Sequence, residues 1–439
     1  MSKEIKITEL IFGLALILIF GIIALRFINK EKGILSPLGK SFNLFSFFTK
    51  NVELRPNSTV YGYLPYWSLD HLDILQLDKL TDIAYFGLHI DEFGGFLEVD
   101  EEGNSVPGYS NWLNNEDLDK FIKRTKKDNV AFALTIISHN DEISDKFLDC
   151  RDCWTTLLNN TKDQLHAKDI KDINLNFEYV EYTEDDKADK YTEFVDYFNK
   201  ELDAEFGESK VVVSTFADSL VKPRVTKIEG LSKVADQIFI MAYDFHRPSS
   251  DNAGPVSPIG GKGVHAEYDI ETMIVDYLAH SPPNKLILGV PYYGYNWVVK
   301  EDAQYAPRIE GNNNIGFSQS QTYEAIKETL LELNPDVLWD ELAQSPYFTY
   351  ISPETGAIRE VYFDNVDSLR AKYQLAKKAG FAGVGIWALG YDGGYTELWD
   401  LIEQEFIFDQ GNRDLFTAKS DIDPTIRPGT FVLSGTTKN

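Results

Sequence analysis

The chain has 439 residues, 43% hydrophobic and 13% aromatic, and its 69 acidic residues against 42 basic ones give a net charge of −27. This length and apolar content allow a large buried core and exclude a disordered chain, and 28 Phe with 23 Tyr suit an aromatic-lined cleft. So negative a field repels polyphosphate, which argues against nucleic acid as a partner and for neutral or cationic ligands; beyond that, the charge describes a solvated surface.

Leu10 to Leu25 is free of charge over sixteen residues, and from Ile7 to Ile28 a helix would extend roughly 30 Å, enough to cross a bilayer. Glu9 and Arg26 flank it, and no small-residue cleavage pattern follows, so residues 1–28 are expected to be a retained transmembrane anchor rather than a removed signal. Lys3 and Lys6 before the span and Arg26, Lys30 and Lys32 after it leave its orientation open. Residues 29–57, with Pro37, Gly39 and Pro56, read as a linker whose Phe42, Phe45, Phe47 and Phe48 lie near the membrane interface or pack on the following domain.

From Val60 onward, short apolar runs alternate with helical periodicity, the mark of parallel β/α units. Eight candidate strands follow: Val60 to Tyr66, Asp82 to Ile90, Val130 to Ser138, Ile173 to Tyr179, Lys210 to Phe216, Gln237 to Asp244, Leu286 to Tyr292 and Gly383 to Leu389. The expected fold is therefore α/β, a (β/α)8 TIM barrel over residues 58–405, behind an N-terminal transmembrane helix. The gap from about 296 to 365 is too long for one helix. Its β-like runs Phe348 to Ile351 and Arg359 to Phe363, on either side of Pro353 to Gly356, predict a hairpin within a small α+β insertion between strands 7 and 8. Residues 406–439, with Pro424 and Pro428, read as a polar tail. Cys150 and Cys153 supply two thiolates where a structural zinc wants four ligands, so a short disulfide or two free thiols is expected, and neither metal nor cofactor.

Reacting residues of a β/α barrel sit at the carboxyl ends of its strands. The fourth strand ends Asn174-Leu-Asn176-Phe-Glu178-Tyr179. The strand period of two turns Asn174, Asn176 and Glu178 into the barrel and leaves Ile173, Leu175 and Phe177 for the helices. Asn174 also suits a hydrogen-bonded interior position. A lone glutamate at the barrel mouth, beneath aromatic walls, is where desolvation raises a carboxyl pKa toward that of a general acid.

This stretch resembles the D-x-x-D-x-D-x-E signature of glycoside hydrolase family 18, the chitinase-like enzymes, with Lys171, Asn174 and Asn176 standing where that family places aspartates. Spore-cortex-lytic members are similar in carrying Asn at the middle position. Met241 to Phe245, Lys285 to Gly294, Trp339 to Glu341, Arg359 to Phe363 and Gly383 to Asp392 follow in the family's order. Alone, Tyr243 and Trp387 would read as core aromatics; the ordered set reverses that. The resemblance makes Glu178 the acid/base, Tyr243 the hydroxyl on the substrate acetamido group and Trp387 the floor of the sugar site. Met241 and Asp244 then line the site, with Tyr292 and Tyr179 as further wall candidates. It implies substrate-assisted hydrolysis, with retention, of β-1,4 bonds in N-acetylglucosamine-containing glycans, chitin-like or peptidoglycan. Asn176 stands where a carboxylate would steady the oxazolinium; its amide oxygen can still accept the acetamido N–H. An inactive glycan-binding protein is the alternative. An N-acetylated glycan as partner implies an extracytoplasmic domain on the membrane anchor.

Overall fold

The computed structural model describes residues 58–407, apart from 184, 223 and 265. The first seven strands are β1 (Thr59–Pro65), β2 (Asp82–His89), β3 (Ala131–Ser138), β4 (Asp172–Phe177), β5 (Val211–Phe216), β6 (Gln237–Met241) and β7 (Leu286–Pro291). The helices between them are α1 (Pro107–Asn114), α2 (Glu116–Lys127), α3 (Asp141–Leu148), α4 (Arg151–Lys168), α5 (Asp185–Phe206), α6 (Ile228–Val234) and α7 (Ile270–His280). Helix boundaries follow local chemistry. Asn115 caps α2 by accepting from the Asp117 and Leu118 backbone N–H groups at 3.0 and 2.9 Å, and acidic residues fill its first turn. Cys150 caps α4 and forms a disulfide with Cys153, which settles the two states left open for that pair.

After β7 the chain leaves the barrel for an antiparallel sheet made of β8 (Tyr293–Val298), β9 (Gln319–Thr322), β10 (Leu338–Asp340), β11 (Ser345–Ile351) and β12 (Ile358–Tyr362), with helix α8 (Tyr323–Leu333). The strand order is β10-β11-β12-β8-β9, and β11 and β12 form the hairpin predicted around Gly356, which takes φ 68°. The insertion thus begins at Tyr293 rather than near residue 296. Helix α9 (Val366–Ala379), β13 (Gly383–Trp387) and α10 (Glu397–Ile402) follow, and a short π-helical turn at Glu403–Ile407 ends the described residues. β13 pairs in parallel with β1 and β7 and closes an eight-stranded barrel.

Tyr61, Tyr63, Phe86 and Phe239 fill the barrel interior. Phe239 fits because Gly385 on β13 carries no side chain: a Cβ there would lie 2.1 Å from the phenyl ring. Several strands end earlier than their apolar runs. β4 stops at Phe177, β6 at Met241 and β13 at Trp387. The residues just beyond form the mouth, where the chain abandons the ladder and aims side chains over the barrel.

The expected transmembrane helix, and with it the membrane contact and membrane localisation, is corrected. Residues 1–28, the linker 29–57 and the tail beyond 407 lie outside the described residues, and no described helix is long and apolar enough to cross a membrane. The longest of these, α5, has the length to span, but eleven of its 22 residues are charged.

Candidate active site

The register of β3 on β4 sets Ile137 opposite Asn176 and Ser138 opposite Phe177. One step further along both chains, His139 stands beside Glu178, whose backbone N–H donates to the Ser138 carbonyl at 2.9 Å. The strand period of two then turns Asn176, Glu178 and His139 to the same side. His139 Nε2 lies 3.2 Å from Glu178 Oε1. Asn176 Nδ2 lies 3.0 Å from the same oxygen and 3.2 Å from His139 Nε2. Asn176 is buried, and its Oδ1 has no hydrogen-bond partner among the described residues. Glu178 and His139 stay about one-third exposed, at 31% and 37% of their side-chain surface.

Burial pushes the Glu178 carboxyl up. The hydrogen bond and charge of His139 outweigh it, helped by the Asn176 N–H and the Arg247 charge, and hold the group below its ordinary value. The raised pKa expected from desolvation alone is therefore reversed, because β3 delivers a cation-forming ring to the carboxylate. His89, at the end of β2, meets the His139 ring edge-on at 5.3 Å between centroids. Burial, with the His139 charge, lowers His89 to about 4, so it stays neutral near pH 7.

A pocket of about 180 Å³ opens beside Glu178, with Met241, Tyr243, Asp244, Tyr293 and Trp387 also among its walls. Trp387 is only partly buried. Phe86 braces it at 4.7 Å between centroids and Tyr63 at 5.4 Å, so one indole is held as a platform at the carboxyl end of β13. Burial drives the Tyr243 hydroxyl well above its ordinary value, which keeps it a donor. Asp244 sits at φ 62°, a left-handed conformation that Asp tolerates. Its Oδ1 accepts from the hydroxyls of Tyr293 and, at 2.6 Å, Tyr295. This carboxylate ties the loop after β6 to the first strand of the insertion.

Three residues expected near the sugar lie elsewhere. Tyr292 is fully buried behind the barrel, its hydroxyl 3.3 Å from that of Tyr373 on α9; its neighbour Tyr293 lines the pocket instead. Tyr179 is buried against α3, donating to Asp145 Oδ1 at 3.1 Å. Asn174 is an interior strut: its Nδ2 reaches the Val212 carbonyl at 3.2 Å and Ser214 Oγ at 3.1 Å. The residues not anticipated are His139, Tyr293, Tyr295, Tyr391 and Arg247. Tyr391 accepts from the indole N–H of half-exposed Trp67 at 2.9 Å, which sets a second tryptophan beside Trp387.

A larger groove of about 820 Å³ adjoins the pocket and shares Phe216, Met241, Tyr243, Asp244 and Arg247 with it. Its outer walls carry Asp218, Lys222, Arg224, Asp251 and Glu267. Glu178 lines the smaller pocket and not this larger groove. Among the described residues, no group of three or more His, Cys, Asp or Glu side chains is placed to hold a metal ion.

A parallel barrel with carboxylates and a partly buried indole at the carboxyl ends of its strands is the arrangement found in glycosidase folds. The sequence model of Glycosyl hydrolases family 18 matches residues 59–392, and the chain belongs to that family. Among curated relatives, the cortical fragment-lytic enzyme of Bacillus subtilis is 25% identical over 290 residues, which cover 64% of this chain and 59% of the relative. The chain thus spans less than two thirds of that relative's length. Of solved structures, the Bacillus megaterium spore cortex-lytic enzyme SleL superposes with a TM-score of 0.63 at 20% identity, covering 81% of this chain and 75% of its own. The Ostrinia furnacalis Group IV chitinase in complex with allosamidin gives 0.68 at 18% identity, covering 79% and 98% respectively. Both likenesses are of fold.

Proposed function

We propose that this chain hydrolyses β-1,4 glycosidic bonds in N-acetylglucosamine-containing glycans with retention, using Glu178 as general acid and base and the substrate's own acetamido group as nucleophile. The observation that carries this reading is Asn176 Oδ1, buried and without a partner among the described residues, on a side chain whose Nδ2 lies 3.0 Å from Glu178, itself a wall of the Trp387 pocket. A buried acceptor without a donor is costly unless a ligand supplies one, and an acetamido N–H is such a donor. A pyranose lies on Trp387, and Tyr243 donates to the acetamido carbonyl oxygen. Protonated Glu178 then gives its proton to the glycosidic oxygen as the C1–O bond breaks and the acetamido oxygen bonds to C1. The resulting carboxylate takes a proton from the water that reopens the oxazolinium, which restores the acid and the original configuration. Asn176 cannot neutralise the oxazolinium charge, so its contribution is orientation.

Peptidoglycan is favoured over unsubstituted chitin. The name of the cortical fragment-lytic relative supports it, as does the charged lining of the adjoining groove, which suits a glycan bearing charged substituents. Glu178→Gln should lower turnover by roughly 100-fold or more while preserving binding, because the amide keeps the shape and loses the proton. Mass detection of products from chitooligosaccharides and peptidoglycan fragments reads this, and wild-type rates in the variant would refute the mechanism. The Asn in place of a carboxylate favours a second reading, a glycan-binding protein. A wild type inert on all these glycans, with activity gained by Asn176→Asp, would establish it.

A further inference from the structure

We infer that His139 is a positioning residue that loads Glu178 with the proton it donates, the two side chains holding one proton between them. This rests on the reading of Glu178 as the acid. A proton donor must carry a proton in the bound complex, yet the surroundings of Glu178 favour its carboxylate. The source in contact with it is the ring of His139, whose Nε2 stands 3.2 Å from Glu178 Oε1 and can carry a proton to it. Transfer along that contact breaks the Nε2–H bond and forms an Oε1–H bond. It turns an imidazolium–carboxylate pair into a neutral imidazole and a carboxylic acid, with no proton drawn from solvent.

Two features make both states tenable. Asn176 Nδ2 lies 3.0 Å from Glu178 Oε1 and 3.2 Å from His139 Nε2. Before transfer it donates to the carboxylate; afterwards it can donate to the nitrogen that has become an acceptor. The pair is also partly open to water, Glu178 at 31% and His139 at 37%. A sugar seated on Trp387 removes that water, and a drier site disfavours the charged pair relative to the neutral one. Binding thereby drives the proton onto the acid.

The groups around the pair are consistent with one mobile proton. His89, edge-on to His139, is neutral. Phe86 supplies an apolar ring at 6.1 Å. The Asp141 carboxylate is engaged with the Val180 and Glu181 backbone N–H groups at 3.1 and 2.8 Å. On the Glu178 side stand Arg247 and the un-ionised hydroxyls of Tyr63 and Tyr243, and the Asp244 carboxylate is held by Tyr293 and Tyr295.

The test uses His139→Gln and His139→Ala in the full chain, with thermal melts to confirm folding. In pH profiles of kcat/KM, the alkaline limb should move down by about one unit or more, and the value at pH 7 should fall roughly tenfold or more. Glutamine, which can hydrogen-bond but holds no exchangeable charge, should not rescue. Independently of turnover, ring-nitrogen NMR should show the His139 pKa falling when Glu178→Gln removes the carboxylate. A wild-type profile in His139→Gln, or a His139 titration indifferent to Glu178→Gln, would overturn the proposal. A wild type inert on every glycan would sink the hydrolase reading instead, and the ring titration would still decide whether the pair shares a proton.

Discussion

Lys372 on α9 offers a test of what holds the insertion to the barrel. Its ammonium pairs with Asp364, which lies just past β12 where the insertion returns to the barrel, and the two side chains are 0% and 1% exposed. Asp364 Oδ2 has no hydrogen-bond partner among the described residues. Lys372→Met would leave that carboxylate buried and uncompensated, a loss of about 3–5 kcal/mol. A barrel of roughly 350 residues, at about 2.1 cal/mol/K per residue, unfolds with an entropy of about 0.7 kcal/mol/K, so Tm should drop by about 4–7 °C. Replacing both partners, Lys372→Met with Asp364→Leu, should recover most of the loss, since apolar isosteres of buried pairs are often as stable. Differential scanning calorimetry of the four proteins closes the cycle. A single variant melting within about 1 °C of wild type, well short of that drop, would show that the pair is not the uncompensated-charge hazard argued here.

Trp387→Ala should weaken binding of N-acetylglucosamine oligomers by at least about 1 kcal/mol, roughly fivefold, without unfolding the barrel; calorimetric titration checks this, and unchanged affinity would return Trp387 to a packing role. Glu360, buried in β12, accepts from the Tyr305 and Ala306 backbone N–H groups at 3.0 Å each, and burial pushes its carboxyl up to about 8. A raised folded pKa gives stability that is complete below the ordinary value of 4.5 and is lost as pH rises through about 8. Melting temperature should therefore fall between pH 6 and 8.5, and Glu360→Gln should flatten that slope; an equal slope in the variant would assign the pH dependence to other groups.

Runs such as Leu286 to Pro291, and Ala131 to Ser138 apart from Thr135 and Ser138, are apolar because helices cover them from outside, so the parallel barrel could be read from local pattern. The inward set at Asn174, Asn176 and Glu178 was legible for a similar reason: while a strand lasts, its parity decides which way a side chain points. Parity misleads where the strand stops. Tyr179 lies two residues past the end of β4 and packs on α3. Tyr292 falls between β7 and β8, so the pocket wall passes to Tyr293. His139 was hidden differently, since its place beside Glu178 depends on the register of β3 on β4, a non-local fact no single stretch of sequence carries. The apolar stretch near the amino terminus was judged on its length, its flanking charges and the lack of a cleavage pattern; it lies outside the described residues, and no described helix is long and apolar enough to cross a membrane.

Phe239, seated in the space that Gly385 leaves, closes the barrel from within. The pocket at Glu178 is consequently closed toward the barrel interior and opens at the carboxyl face, where it adjoins the side groove. In the proposed hydrolysis, water displaced by an incoming sugar leaves past the sugar itself or sideways by Arg247 into the groove, and cleaved halves depart through the space the next chain needs. Arrival and departure compete in such a plugged barrel. In that proposal the side groove gives one half an exit that the other does not block.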